Sequence, residues 1–361
     1  MRFRQTIFML CSSLLVIACS DSNNSTDALY PQDLPRPELE FQTTDAPIDL
    51  GGVSASFSAD IPYGPYERNL FNIFLPDCDG PTPLIIYIHG GGFTSGSKER
   101  YSEQQILDVL QQCVAWATIG YRLLPPRVEV EQAPGTENER GVIVSLIDSA
   151  RALQFMRYYH RSLNLDPDNV AVWGRSAGAG TSLWLGTHDD LADPDNSDPV
   201  LRESTRVKAV GALATQATYN ILDWGEVLEP LIVSFVPSVF PSTDVQEVAE
   251  SLGASGYLLR AAGAANFEQL DSDNYKAYRD NVDMLKLMDA GDAPIYVSNG
   301  AVSPASLLGF ILHHGCHALA VKARADEVGL ESVGYSADPV CPLSDPSGEE
   351  LTPFLLRHIL Y

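Results

Sequence analysis

The run Leu84-Ile85-Ile86-Tyr87-Ile88 constrains the fold more than any other segment, because five apolar residues follow one another without polar alternation and end at once in His89-Gly90-Gly91-Gly92. A strand with one wet face alternates; a short continuous apolar run bounded by turn residues is a strand buried on both faces, as in a helix-covered parallel sheet. The pattern recurs. Residues 69–75, Ala115-Trp116-Ala117-Thr118-Ile119 and Val170-Ala171-Val172-Trp173 are strand-like, and helix-like stretches at about 102–112 and 142–160 separate them. Repeated strand, helix, strand predicts an α/β fold with a mostly parallel central sheet and helices on both faces. Residues 207–213, 294–297 and 332–335 read as further strands, and 351–359 as a closing helix. Between about 217 and 292 the rhythm stops. That stretch carries Trp224, Leu231, Ile232, Val233, Phe235, Val236 and Phe240 and then polar helical segments. It is too long for a structureless loop, so a helical cap or lid insertion is expected, with ordinary helical packing on the sheet as the alternative.

The N-terminus lies outside that pattern. Arg2 and Arg4 precede an apolar run from Ile7 to Ala18 that is too short to span a bilayer but fits the core of an export signal. The run closes on Leu15-Val16-Ile17-Ala18-Cys19, which resembles a bacterial lipobox. Residues 1–18 are therefore expected to be a lipoprotein signal peptide and Cys19 the acylated residue, with an ordinary secretory peptide as the alternative. Ser20, rather than an acidic residue, follows the cysteine, which implies delivery to the outer membrane, facing the periplasm or the cell surface. Residues 19–40 read as a flexible tether and 41–361 as the catalytic domain. A net charge of −24 repels phosphate backbones, so nucleic acid is a poor partner.

Export also shapes the cysteine chemistry. Leaving aside Cys11 and Cys19, four cysteines remain, an even number in an oxidising compartment, and two disulfides are expected. Cys316 with Cys341 would join two late loops. Cys78 with Cys113 would staple the opposite edge.

Two glycine-rich turns carry the chemistry. After the strand at 170–173 comes Gly174-Arg175-Ser176-Ala177-Gly178, followed by a helix-like stretch. A Gly-x-Ser-x-Gly turn between strand and helix forces its serine into a strained, exposed elbow, which makes Ser176 the candidate nucleophile. In His89-Gly90-Gly91-Gly92, successive glycines let main-chain N–H groups converge on one point, as an oxyanion requires. Gly91 and Gly92, with the Ala177 N–H, are the candidate oxyanion donors. There is no Gly-Lys-Ser/Thr and no Rossmann spacing, which disfavours a phosphate loop.

His-Gly-Gly-Gly, then Gly120-Tyr121-Arg122-Leu123 after the next strand, then Gly174 to Gly178, resembles the α/β-hydrolase fold, in particular the carboxylesterases related to hormone-sensitive lipase and type B carboxylesterases. The resemblance covers about residues 65–215. It implies hydrolysis of small-molecule carboxylic esters by a serine, a histidine and an acid, with no metal and no cofactor. Arg175 departs from the acidic, histidine or glutamine residue often found before the nucleophile.

The base and acid depart further. The family places the acid after the penultimate strand and the histidine after the last. Here Ser298-Asn299-Gly300 follows the penultimate strand with no acid before Asp326, and Ser336-Ala337-Asp338 follows the last with no histidine before His358. The penultimate loop holds His313-His314-Gly315-Cys316-His317 instead. Loops at the carboxyl ends of parallel strands gather chemistry, so the base is expected at His314, with His317 the alternative, and Asp338 as its orienting carboxylate in a swapped arrangement. His-x-x-His with a cysteine could bind zinc, but the ligand set is incomplete. His89 reads as a turn-orienting residue, His188 as a surface residue, His358 as part of the closing helix, and Asp148 as a local partner of Arg151. An amidase or peptidase using the same parts, and an inactive hydrolase-fold binding protein, are the competing functions.

Overall fold

The computed structural model describes residues 36–125, 140–235, 244–300 and 307–361. The signal segment and Cys19 lie outside the described residues, as do Val236 and Phe240. Nine strands form one sheet: β1 (Ala55–Pro62), β2 (Leu70–Pro76), β3 (Thr82–Ile88), β4 (Ala115–Ile119), β5 (Leu165–Arg175), β6 (Ala209–Leu213), β7 (Ile295–Asn299), β8 (Ser332–Ser336) and β9 (Leu343–Ser344). Their order is β1-β2-β4-β3-β5-β6-β7-β8-β9. The six strands from β4 through β8 run parallel, whereas β1, β2 and β9 pair antiparallel at the two ends. The sheet is thus mostly parallel, as the apolar runs predict.

The period of two explains those runs. Leu84, Ile86 and Ile88 of β3 join one core cluster while Ile85 and Tyr87 join another, and β5 divides likewise, with Val170 and Val172 against Ala171 and Trp173. Each face is then covered. Helices α2 (Ile143–Tyr158) and α3 (Ala177–Thr187) close the first face, and α1 (Glu103–Leu110) packs on the second. The interval after β6 contains only helices among the described residues: α4 (Trp224–Val227), α5 (Glu229–Phe235), α6 (Val245–Ser251), α7 (Ser255–Ala262), α8 (Phe267–Asp271), α9 (Lys276–Asn281) and α10 (Met284–Leu287). After β7 come α11 (Leu307–Leu312) and α12 (Gly315–Val328), and α13 (Leu351–Leu360) closes the chain on the second face.

Two expectations are corrected here. Asp148 does not pair with Arg151. Its buried carboxylate accepts from Arg122 Nε and Nη2 (2.8–3.1 Å), from the Arg122 backbone N–H and from Asn69 Nδ2, both at 2.9 Å. Arg151 instead pairs with Asp198 at 2.7 Å. Asp148 faces inward, where the planar guanidinium of Arg122 supplies the bidentate partner that a buried charge needs. The stretch 19–40 is also not a tether throughout, because Arg36 Nη1 pairs with Glu203 at 3.0 Å and the Leu39 N–H donates to Ser162 Oγ at 3.0 Å. Residues 36–40 are docked on the domain.

Candidate active site

The elbow is built by close approach. A Cβ on Gly178 would lie 2.0 Å from the Ile88 carbonyl oxygen, and one on Gly174 would lie 2.3 Å from the Gly178 carbonyl carbon. Only glycine lets β3, β5 and α3 meet so tightly. Gly178→Ala is therefore expected to cost about 3 kcal/mol through backbone overlap, read as a lowered thermal midpoint. Between the glycines Ser176 adopts φ 54° and ψ −120°, a positive φ outside the ordinary range for a non-glycine residue. Its N–H donates to the Leu213 carbonyl at 2.9 Å, which ties the strained residue to β6.

The glycine loop packs directly on this elbow. A Cβ on Gly90 would lie 3.2 Å from Ser176 Cβ. Gly91 and Gly92 take φ 124° and 59°, and the N–H groups of Gly91, Gly92 and Ala177 meet no acceptor among the described residues. Ala177 opens α3, where first-turn N–H groups have no intrahelical partner and the helix dipole favours negative charge. Tyr121 supports the loop from below: its hydroxyl donates to the His89 carbonyl at 2.7 Å and its ring stacks on the His89 imidazole at 4.3 Å. Burial pushes the His89 pKa down to about 4, so the ring is a neutral structural group, as a turn-orienting histidine should be.

The histidine beside the serine is His313. Its Nε2 lies 2.8 Å from Ser176 Oγ, and a ring N–H also bonds the Gly309 backbone. The expected bases His314 and His317 are both engaged elsewhere. His314 is the N-cap of α12, with φ −60° and ψ 147°; its Nδ1 accepts from the Cys316 N–H at 3.2 Å, and its Nε2 lies 3.1 Å from Asp338 Oδ2. His317 accepts the Ala217 N–H at Nδ1 (3.2 Å) and donates from Nε2 to the Ile311 carbonyl (3.0 Å), while burial lowers its pKa to about 3. Neither ring contacts the serine: both nitrogens of His317 are hydrogen-bonded, and Nε2 of His314 faces Asp338. The physical reason is alternation: His314 is extended, so neighbouring side chains diverge, and His313 points to the elbow while His314 turns back over its own helix.

Asp338 lies beside His314 and not His313. Its Oδ1 accepts from the N–H groups of Val340 (2.8 Å) and Cys341 (3.2 Å), which fixes the carboxylate in the loop after β8. Among the described residues no carboxylate bonds His313. Both expected disulfides are present, Cys78–Cys113 and Cys316–Cys341. The second joins the start of α12 to the Asp338 loop, as the sequence suggests, although the pair it brackets is His314 with Asp338. His314, Cys316 and Cys341 are the only grouping of possible metal ligands among the described residues, but the two sulfurs are bonded to each other. His188 is half-buried and lies tilted against Trp184 at 4.7 Å, and His358 lies against Phe354 at 4.8 Å.

A small, largely apolar cavity of about 20 Å³ lies beside the glycine loop, lined by Phe93, Tyr219, Trp224, Tyr257, Leu258 and Leu312 with Gln216. Tyr257 of α7 reaches the loop itself, its hydroxyl 3.4 Å from the Gly92 carbonyl oxygen.

A strand-turn-helix elbow on a mostly parallel sheet is the architecture of the α/β-hydrolase fold, and the histidine delivered from the loop after β7, rather than after β8, departs from its usual order. Residues 71–224 match the BD-FAE family model, which covers the glycine loop and the elbow. Over 121 residues the chain is 32% identical to a secreted lipase of Arthroderma benhamiae, covering 31% of this chain and 23% of that protein. It is 33% identical over 138 residues to the para-nitrobenzyl esterase of Bacillus subtilis, covering 37% and 26%. The chain thus spans about a quarter of the length of these relatives. Among solved structures, a truncated carbohydrate esterase from gut microbiota superposes with a TM-score of 0.59 at 16% identity, covering 86% of this chain and 98% of that one. Esterase B of Lactobacillus rhamnosis follows at 0.51 and 17%, covering 92% and 90%. These likenesses agree on the fold.

Proposed function

We propose that the protein is a serine carboxylesterase acting on small-molecule esters through an acyl-enzyme. The observation that carries the reading is the 2.8 Å contact between Ser176 Oγ and His313 Nε2 at a strained elbow. Ser176 attacks the ester carbonyl and His313 takes its proton. The developing oxyanion is held by the N–H groups of Gly91, Gly92 and Ala177, and His313 returns the proton to the leaving alcohol. Water then attacks the acyl-enzyme with the same base. Phe93, Tyr219 and Tyr257 beside Gly92 supply the apolar surface for the substrate's apolar group, with α4 and α7 as part of a cap over it. The relatives named as esterases and a lipase support this activity. The test is covalent labelling by a fluorophosphonate together with hydrolysis of a p-nitrophenyl ester series and a matched amide. A labelled serine with ester turnover supports the reading, amide turnover of equal efficiency makes the protein an amidase, and no labelling makes it a binding protein.

Export completes the proposal. The basic start, the apolar run to Ala18, the two disulfides and the secreted lipase among the relatives support it, with Cys19 as the lipid-bearing residue. No helix among the described residues is long and apolar enough to cross a membrane. Cys19→Ser should move the protein from the detergent phase to the aqueous phase; unchanged partition removes the anchor.

The pH dependence follows from His313, which must be neutral to accept a proton. Burial lowers its pKa, the Gly309 contact opposes that, and the positive charge of Arg175 lowers it further. The acid limb of kcat/KM should therefore lie below the range of a free imidazole. Arg175→Gln removes a cation that disfavours imidazolium, so the limb should move to higher pH, and a shift to lower pH would contradict the assignment of His313.

A further inference from the structure

Among the described residues no carboxylate bonds His313; the Gly309 backbone meets its ring, and its main chain is held by other groups. His313 follows α11, and the last carbonyls of a helix lack intrahelical donors. Here side chains from two strand ends supply them. Gln216 Nε2 donates to the Leu312 carbonyl at 2.6 Å, while Asn299 Nδ2 donates to the carbonyls of His313 (3.3 Å) and His314 (3.0 Å). Asn299 is the last residue of β7 and is fully buried. Its amide also closes a two-way bond with Thr215, accepting that N–H at Oδ1 and donating to that carbonyl from Nδ2, each at 2.9 Å. Three carbonyl oxygens thus converge on one NH₂ group.

We propose that Asn299 is the positioning residue for His313, keying the backbone at the base and just after it to the end of β7 and to Thr215 beyond β6; this rests on the Ser176–His313 reading above. The chemistry of the position requires an amide. An ionised carboxylate there would keep the acceptor facing the Thr215 N–H but would turn a negative oxygen toward the carbonyls of Thr215, His313 and His314. An isosteric side chain of the wrong polarity would therefore displace the loop. Because Ser176 is fixed independently through Leu213, and Leu312 through Gln216, a displacement of His313 lengthens the proton-transfer contact and leaves the nucleophile and the glycine loop in place.

The experiment uses the full chain with Asn299→Leu and Asn299→Asp, assayed on p-nitrophenyl acetate and by the rate of fluorophosphonate labelling. Both variants should lose about 10²-fold in kcat and in labelling rate, with KM within about 3-fold, because misplacing a reacting group by an ångström costs about that much. For Asn299→Asp, the ratio of variant to native kcat should rise as pH falls from about 8 to about 5.5, since burial raises the new carboxyl's pKa and its protonated form regains one O–H donor for the carbonyls. A lowered thermal midpoint with kcat unchanged, or a ratio that does not vary with pH, overturns the proposal. So does failure of Asn299→Asp to fold even at the lower pH, which would make the residue purely structural. Should Ser176→Ala retain labelling and turnover, the serine reading itself falls, whatever the Asn299 variants do.

Discussion

Ser176→Ala is expected to reduce ester turnover by about 10³- to 10⁶-fold and to eliminate fluorophosphonate labelling, with the thermal midpoint close to that of the native protein. The nucleophilic oxygen is removed outright, while the side chain contributes no bond to the fold beyond its contact with His313. The structural bonds at this residue are made by the backbone: its N–H to the Leu213 carbonyl, and its carbonyl to the N–H groups of Ala179 and Gly180. Alanine keeps all of these and keeps the positive φ. Ser176→Gly sharpens the test, because glycine adopts that φ without the penalty of about 1–3 kcal/mol stored by a non-glycine residue. It should be equally inactive and measurably more stable. An elbow serine whose removal stabilises the fold is held in strain for chemistry; retained activity in either variant would end the hydrolase reading.

The parts legible in the sequence are those set by local patterns. β3, β4 and β5 announce themselves because both faces are buried, so apolar residues need not alternate. The elbow is legible for a related reason: glycines at 174 and 178 are demanded by backbone contacts within a short segment and its immediate neighbour β3. β1 is less legible, since an edge strand with a mixed burial pattern and a register shift between Ser58 and Ile61 carries no clean alternation. The partner of Asp148 is a long-range fact, fixed by where β4 delivers Arg122, and helical spacing points misleadingly to Arg151. The choice among three histidines depends on where α12 begins. Gly315 is the available signal: a Cβ there would lie 2.5 Å from Asp338 Cβ, so the helix must start against the Asp338 loop, which places His314, the residue before it, beside Asp338.

That geometry separates the histidines by experiment. His313→Ala should lower kcat by about 10⁴-fold with little change in thermal midpoint, since the ring is half-buried and its loss removes the general base. Added imidazole should restore part of the activity by occupying the vacated space beside Ser176. His317→Ala should do the reverse. Its ring satisfies the Ala217 N–H and the Ile311 carbonyl, both in buried surroundings, and leaving them unpaired costs about 1–3 kcal/mol each, while Ser176 and His313 keep their contact. His314→Ala belongs with His317, because it strips the cap from α12 and leaves the Asp338 carboxylate without its imidazole partner, yet touches no atom of the serine. The separation matters because all three lie within five residues and any of them could lower activity by unfolding the loop. A deep kcat loss at His314 with native stability, together with a mild loss at His313, would show that the loop exchanges the two rings in solution and that Asp338 serves the base after all.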